Sequence, residues 1–195
     1  MKNIIILIPL YNDWKSLNIL LQKIEKKFKT KYFIEVLVVN DCSTEKCTLS
    51  KFKIIKKINI LNLKQNVGSQ KAIFLGLNHI LKNRNKNIII VMDADGEDDY
   101  SKINILIEKA EKNFQKIVFA KRTKRLEPFF LKILNHVRLI ITYLLTGKYL
   151  DIGNFSAFHS NNLKNVVMKK NLSLAYCSGM FKNFDKISFV GLEKK

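Results

Sequence analysis

Residues 88–99 read IIIVMDADGEDD, an apolar run that ends in a cluster of carboxylates. The apolar part, residues 88–92, is typical of a strand that is buried on both faces of a parallel sheet. The part that follows, residues 93–99, contains five of the sixteen acidic residues of the chain. In such sheets, ligands bind outside the carboxyl ends of the strands. The apolar run therefore predicts a strand of a parallel sheet, and the carboxylates that follow it predict a ligand-binding site at the end of that strand.

The rest of the chain alternates between short apolar runs and segments with helical periodicity. The predicted strands are residues 4–10, 33–39, 58–63, 88–92 and 117–120, and the predicted helices are residues 13–28, 68–81 and 103–114. Such alternation is typical of an α/β fold in which helices flank a mostly parallel central sheet. Since a domain usually has ~150 residues, the 195 residues predict one domain over residues 1–195.

The composition excludes several classes of protein. Hydrophobic residues make up 47% of the chain, too many for a disordered protein, and three cysteines are too few for a disulfide scaffold. No apolar run reaches the ~18 residues of a membrane span. Charged residues follow the apolar residues 4–10 without a cleavage site, so we expect no signal peptide and a cytoplasmic location.

The net charge of +19 suggests an anionic partner, although the joint abundance of lysine, asparagine and isoleucine would also follow from the mutational bias of an AT-rich genome. Only four of the 35 basic residues are arginine, and the sequence contains no recognised basic–aromatic stacking motif. Nucleic-acid readers favour arginine forks and aromatic platforms, so we expect no nucleic-acid partner. Residues 101–195 contain 18 basic and 6 acidic residues, so this half is the better match for an anionic surface.

Asp93 and Asp95 are the sharpest chemical signal in the sequence. On an extended turn after a strand, carboxylates two residues apart can point at one cation. Mg²⁺ and Mn²⁺ prefer oxygen ligands, and Mg²⁺ typically takes one or two carboxylates together with substrate phosphates. We therefore expect a divalent metal site at Asp93 and Asp95, the alternative being a solvated acidic loop.

Polar residues also follow the other predicted strands. Asp41, after the second strand, can accept hydrogen bonds from a base edge or from ribose hydroxyls, or it can simply form a turn or cap a helix. Gly68, after the third strand, permits close approach of the backbone to a ligand, although an ordinary helix start would also use it. Four polar loops on one edge of one sheet predict a binding site.

Taken in order, the motifs resemble those of glycosyltransferase family 2, whose members are inverting enzymes of the GT-A fold. They are IPLYN at residues 8–12, VVNDCSTE at 38–45, Asn66 and Gly68 with Ala72 and Gly76, and MDAD at 92–95. The later stretches AKR at residues 120–122 with Arg125, and DIGNF at 151–155, resemble the polyprenyl-phosphate branch of that family. The resemblance implies transfer of a sugar from a UDP- or GDP-linked donor to a lipid phosphate.

The resemblance also implies roles for individual residues. The residues expected to bind the nucleotide-sugar are Pro9, Tyr11, Asn12, Asp41, Asn66, Gly68 and Asp93. Arg122 and Arg125 are expected near the phosphate of the lipid acceptor. A lipid phosphate is already anionic and hardly needs a base, whereas a hydroxyl acceptor would need a carboxylate to take its proton, and Asp98 and Asp151 are the candidates.

The sequence departs from the family pattern at several positions. Cys42 stands where the family has glycine, Gly96-Glu97 replaces Leu-Gln, and Ser156 and Ser160 replace two arginines expected near phosphates. These departures leave two alternatives open. One is a family 2 transferase that acts on a cell-surface polysaccharide or lipooligosaccharide hydroxyl, and the other is a catalytically impaired GT-A-like remnant that binds a membrane or a partner.

Residues 128–148 form a predicted amphipathic helix with a wide apolar face and basic residues opposite. Lys132 and Arg138 lie on the polar side, as in helices that rest at a membrane interface. We expect this helix to lie peripherally on the inner face of the membrane, the alternative being a helix packed into the core.

Overall fold

The computed structural model describes residues 2–28, 32–82, 87–121, 140, 143 and 152–191. Its strands are β1 Lys2–Leu10, β2 Tyr32–Asn40, β3 Ile55–Asn62, β4 Asn87–Val91, β5 Ile117–Lys121, β6 Ile152–His159 and β7 Ile187–Val190. Its longer helices are α1 Trp14–Lys27, α2 Ser69–Lys82, α3 Ile103–Lys112, α4 Leu163–Val167 and α5 Tyr176–Asn183. These strands form one sheet in the order β3-β2-β1-β4-β6-β5-β7.

The sheet is mostly parallel, as the alternation of strands and helices predicts. β1 is parallel to β2 and to β4, β2 is parallel to β3, and β5 is parallel to β7. Only β6 runs the other way in this described sheet, antiparallel to both β4 and β5. The prediction of an α/β fold with a mostly parallel central sheet and flanking helices is therefore confirmed.

The sequence pattern predicts β1 to β5 but misses β6 and β7. In β6, the polar residues Asn154 and Ser156 alternate with apolar ones, so the strand has no continuous apolar run. β7 has four residues, of which only Val190 is buried. The buried-strand pattern that identifies β1 and β4 is absent from both.

β3 begins three residues before its predicted start, because Glu25 of α1 holds the chain there. The carboxylate of Glu25 accepts hydrogen bonds from the backbone N–H groups of Ile54 at 2.7 Å and Ile55 at 3.0 Å. Burial by itself raises the pKa of Glu25, but these N–H donors outweigh it and leave the pKa below its usual value. The charged carboxylate thus fixes the point at which β3 joins the sheet.

Alternate side chains of β1 enter two cores on opposite faces of the sheet. Ile4, Ile6 and Ile8 pack with α1 and α3, whereas Ile5 and Leu7 pack with α2, α4 and α5. Both faces are covered, which is why β1 reads as a continuous apolar run.

Gly76 lets α2 lie directly on the sheet. A β-carbon at this position would come within 2.7 Å of Cγ2 of Val39 on β2, and it would also overlap the side chain of Leu7 on β1. Both neighbours are themselves buried, so neither can move aside without disturbing the core.

Gly76→Ala is therefore expected to destabilise the protein even though alanine is the better helix former. Alanine in a helix is favoured over glycine by about 1 kcal/mol, whereas overpacking a core costs about 1–3 kcal/mol. We expect a net loss in the free energy of unfolding, measured by urea denaturation. Lys71→Ala on the exposed side of α2 serves as the control, and an equal or higher stability of Gly76→Ala would contradict the close packing.

Candidate active site

The topology brings the predicted site residues to one edge of the sheet. Asp41 follows β2 and Asp93 lies just beyond β4, and these two strands flank β1 on either side. All three strands are parallel, so their carboxyl ends meet at the same edge. With neighbouring strands ~4.8 Å apart, the ends of β2 and β4 are separated by about 10 Å.

Asp41 is buried and holds the loop that follows β3. Its Oδ1 accepts a hydrogen bond from the N–H of Val67 and its Oδ2 accepts one from the N–H of Gly68, both at 2.8 Å. Gly68 has a φ of +83°, and nothing lies within 4 Å of the place a β-carbon would occupy. The predicted binding residue Asp41 thus shapes the loop of Asn66 and Gly68, which opens to solvent.

Asn12 joins the loop after β1 to the loop after β2. Its side-chain Oδ1 accepts hydrogen bonds from the N–H groups of Thr44 at 2.8 Å and Glu45 at 3.2 Å. Its own N–H donates to Oγ of Ser43 at 3.0 Å. Asn12 adopts a φ of +51°, a left-handed conformation that asparagine tolerates better than most residues.

Cys42 keeps the backbone conformation that a glycine would favour. Its φ is +62°, within the left-handed region. Glycine, which stands here in the family that the sequence resembles, adopts such a conformation without strain. Pro9 lies buried within β1, whereas Tyr11 just beyond it leaves 51% of its surface exposed.

Two carboxylates of the acidic loop fix the conformation of the loop itself. Asp98 is only 4% exposed, and its Oδ2 accepts a hydrogen bond from the N–H of Asp93 at 2.9 Å. Oδ1 of Asp95 accepts one from the N–H of Glu97 at 2.9 Å, around Gly96 with its φ of +81°. Asp93 is half-buried and Asp95 is exposed, so these two, rather than Asp98, face the open edge.

The donor set of this loop fits a hard divalent cation. Within the described ranges, no three His, Cys, Asp or Glu side chains gather closely enough to enclose a metal ion. Mg²⁺ does not need such a cage, because it keeps several waters and takes one or two carboxylates plus substrate phosphates. Asp93 and Asp95 would supply those carboxylates.

Asn154, from the start of β6, reaches across to Asp93. Its Nδ2 donates to Oδ1 of Asp93 at 3.2 Å and to Oδ2 at 3.3 Å. Its Oδ1 accepts from Nε2 of Gln70 at 3.3 Å, and Oε1 of Gln70 accepts from the backbone N–H of Tyr176 at 2.8 Å. A chain of hydrogen bonds thus runs from Tyr176 through Gln70 and Asn154 to the carboxylate of Asp93.

Ser156, where the family pattern has an arginine, is fully buried. Its Oγ lies 3.0 Å from the carbonyl oxygen of Asn154 and 2.8 Å from the hydroxyl of Tyr176. Burial raises the pKa of Tyr176, against the lowering effect of the Ser156 hydrogen bond, so the phenol stays protonated. The Asn154 carbonyl can only accept, so Ser156 donates its one hydroxyl hydrogen to it, and the hydroxyl of Tyr176 donates to Ser156.

Ser160, the second position where an arginine was expected near phosphates, lies at the other end of β6. Ser156 pairs with Val91 near the carboxyl end of β4, whereas His159 pairs with Ile88 near its start. Because β6 is antiparallel to β4, residue 160 falls at the edge of the sheet away from Asp93. The expectation that position 160 lies near phosphates is wrong for this register.

Some predicted residues lie outside the described part of the chain. They are Arg122, Arg125, Asp151 and most of the amphipathic segment 128–148. Within that segment, Ile140 and Tyr143 are described, and both are helical and 53% exposed. No helix in the described residues is both long and apolar enough to cross a bilayer.

The sequence motifs do not single out Gln70 or Tyr176, and Asn154 is noted only as part of the stretch 151–155. A polar residue at the second position of α2, directly after the Gly68 turn, is the one local signal for Gln70. Nothing near Tyr176 in sequence points to the site, because its partners are 106 and 20 residues away.

Comparison with known proteins agrees with this geometry. The family model described as glycosyl transferase family 2 matches residues 5–172. An uncharacterized glycosyltransferase of Bacillus subtilis, YkcC, is 33% identical over 132 residues, which are 65% of this chain and 39% of that protein. An undecaprenyl-phosphate 4-deoxy-4-formamido-L-arabinose transferase of Photorhabdus laumondii is 27% identical over 154 residues, 75% of this chain and 45% of that protein. The chain thus spans less than half the length of these two curated relatives.

Solved structures share the fold. The crystal structure of S. aureus TarS 1–349 in complex with UDP-GlcNAc superposes with a TM-score of 0.59 at 17% identity, covering 100% of this chain and 60% of TarS 1–349. At this identity the likeness concerns the fold, and it confirms the GT-A-like arrangement of the sheet. Since the family model covers most of the sequence, the chain belongs to glycosyltransferase family 2.

Proposed function

We propose that this chain transfers a sugar, with inversion, from a UDP- or GDP-linked donor to a polyprenyl phosphate. The observation that carries the proposal is the convergence of Tyr11, Asp41 and Asp93 at the carboxyl ends of three adjacent parallel strands, in a member of family 2. The name of the Photorhabdus relative specifies an undecaprenyl-phosphate acceptor, which supports the lipid phosphate.

Each part of the site has a role in this reaction. Mg²⁺ or Mn²⁺, held by Asp93 and Asp95, would neutralise the charge that develops on the departing nucleoside diphosphate. Asp41 and Asn12 hold the loops around the nucleotide, and the exposed ring of Tyr11 is available to contact it. An oxygen of the acceptor phosphate attacks the anomeric carbon from the side opposite the diphosphate. The new carbon–oxygen bond forms as the bond to the diphosphate breaks, which inverts the configuration.

The burial of Asp98 favours a phosphate acceptor over a hydroxyl acceptor. A hydroxyl would need a carboxylate within hydrogen-bond reach to take its proton. Asp98 is buried and its Oδ2 accepts the N–H of Asp93, so among the two candidate bases it serves first to shape the loop. A phosphate acceptor is already ionised and needs no such base. Transfer to a polysaccharide or lipooligosaccharide hydroxyl would depend on Asp151.

We extend the proposal to a peripheral location on the cytoplasmic face of the membrane, where a lipid phosphate would be reached. Ile140 and Tyr143 are three residues apart in helical conformation, so they share one face, and each is 53% exposed. The half of the chain that contains them has 18 basic and 6 acidic residues, which favours anionic lipid.

Asp95→Ala is expected to remove the metal dependence of donor binding. A panel of UDP- and GDP-sugars, measured by thermal shift and calorimetry with and without Mn²⁺, should show tighter binding with the metal in the unaltered protein. Loss of a supporting contact costs about tenfold in metal affinity, so loss of the ligand itself should cost at least that much.

Asp185→Ala, which removes an exposed carboxylate elsewhere on the surface, is the matched control and should bind like the unaltered protein. Donor binding of equal strength with and without Mn²⁺ in all three proteins would sink the proposed metal-dependent transferase.

Liposome co-sedimentation tests the membrane proposal. Binding should require anionic lipid and should weaken at 1 M salt, where the screening length falls to ~3 Å. The double variant Ile140→Asp with Tyr143→Asp should lose most of the binding, whereas Ile105→Asp, at a similarly exposed position on α3, should retain it. Equal binding by both variants would show that the exposed helical face is not the contact surface.

A further inference from the structure

We propose that Gln70 is a positioning residue, which forces Asn154 to present its amide N–H to the carboxylate of Asp93. The pair is called here the Gln70–Asn154 relay. The inference rests on the proposed function, because it assigns the relay to the metal-holding role of Asp93. It adds residues that no sequence motif of this chain assigns to the site.

The direction of the relay is set at Tyr176, the first residue of α5. Its backbone N–H has no partner within the helix, and Ala175 before it provides no side-chain cap. An N–H group can only donate, so the atom of Gln70 that lies 2.8 Å away must be its oxygen. The nitrogen of the Gln70 amide is thereby turned toward Asn154.

The same argument sets the direction of the hydrogen bonds between Gln70, Asn154 and Asp93. Nε2 of Gln70 can only donate, so the atom of Asn154 at 3.3 Å must be the oxygen Oδ1. Nδ2 of Asn154 then faces Asp93 and donates to both of its oxygens, at 3.2 and 3.3 Å. Because both carboxylate oxygens share one donor, rotation of the carboxylate is restrained.

A second set of hydrogen bonds holds the backbone of Asn154 in place. Ser156 donates to its carbonyl oxygen, and the hydroxyl of Tyr176 holds Ser156 in turn. Asn154 is only 8% exposed, so water has little access to compete for its amide. Tyr176 therefore fixes both the backbone and, through Gln70, the side chain of Asn154.

The relay matters for a metal because a carboxylate oxygen has lone pairs beyond those that accept the Asn154 amide. A ligand held in one orientation binds a cation better than one that rotates, and supporting hydrogen bonds of this kind are worth about 10–100-fold in metal affinity. We therefore expect the relay to change Mn²⁺ affinity and to leave metal-free binding of the nucleotide unchanged.

Gln70→Glu is the variant that disrupts the relay. The new carboxylate still accepts the N–H of Tyr176 with one oxygen, but its other oxygen cannot donate to Asn154. Asn154 can then donate its Nδ2 to only one of the two carboxylates, and in either orientation its carbonyl oxygen faces the other, so Asp93 loses its fixed donor. Mn²⁺ affinity should fall about tenfold or more. A simple effect of the added negative charge would instead strengthen the binding of the cation, so the sign distinguishes the two.

The experiment measures three quantities for each purified protein: Mn²⁺ affinity by electron paramagnetic resonance in the presence of UDP, UDP affinity in EDTA, and the melting temperature. Ser69→Glu is the matched control, since it adds the same charge one residue away at an exposed position. Gln70→Ala is the second variant, in case the glutamate at this position prevents folding. It removes the donor to Asn154 and should also weaken Mn²⁺ binding.

Weaker Mn²⁺ binding by Gln70→Glu than by Ser69→Glu, and by Gln70→Ala than by the unaltered protein, supports the relay if UDP affinity in EDTA is equal within each pair. Mn²⁺ affinity of Gln70→Glu equal to that of Ser69→Glu, together with Mn²⁺ affinity of Gln70→Ala equal to that of the unaltered protein, overturns the relay and leaves the proposed function standing. Absence of Mn²⁺ binding in the unaltered protein with UDP overturns the proposed metal-dependent function, and the relay with it.

Discussion

The antiparallel insertion of β6 between β4 and β5 is the constraint on which the rest of the molecule depends. β6 hydrogen-bonds to β4 on one side and to β5 on the other, so it alone connects β5 and β7 to the four parallel strands in the described sheet. Its direction places Asn154 and Ser156 at the edge where Asp93 lies. A parallel β6 in the same position would instead put the end of the strand, with His159, at that edge.

The acidic residues at this edge divide into two groups by burial. Asp41 and Asp98 are buried, and their oxygens accept backbone N–H groups of the loops around them. Hydrogen bonds to charged acceptors are stronger than neutral ones, which suits them to hold loops rich in polar residues. Asp95 is exposed and Asp93 is half-buried, and these two remain at the surface where a ligand would arrive. Two carboxylates that the sequence motifs alone would assign to ligand binding or catalysis, those of Asp41 and Asp98, therefore shape the loops.

The sequence predicts the parts of the fold that repeat locally. Strands that are buried on both faces, such as β1 and β4, are continuous apolar runs. Because ligands bind at the carboxyl ends of such strands, the residues that follow them can be assigned to the site before the order of the strands is known. β6 is not predicted from the sequence, because Asn154 and Ser156, which contact residues of the candidate site, interrupt its apolar pattern. The contacts of Gln70 with Asn154 and Tyr176 join residues that are 84 and 106 positions apart in the sequence. A local pattern of apolar and polar residues therefore cannot predict these contacts. The misplacement of Ser160 has the same cause, since its position depends on the direction of a strand that the sequence does not reveal.

The presence of Ser156 where the family pattern has an arginine bears on how the proposed site would neutralise a diphosphate. Ser156 is fully buried, and its hydroxyl lies 2.8 Å from that of the equally buried Tyr176. None of the residues that the structure describes is an arginine, so in this part of the chain positive charge comes from lysines such as Lys64, beyond the end of β3. A lysine is a point charge without the bidentate geometry of arginine. A cation at Asp93 and Asp95 would then carry a larger share of the neutralisation than in a site that keeps the arginine, and the orientation of Asp93 would matter correspondingly more.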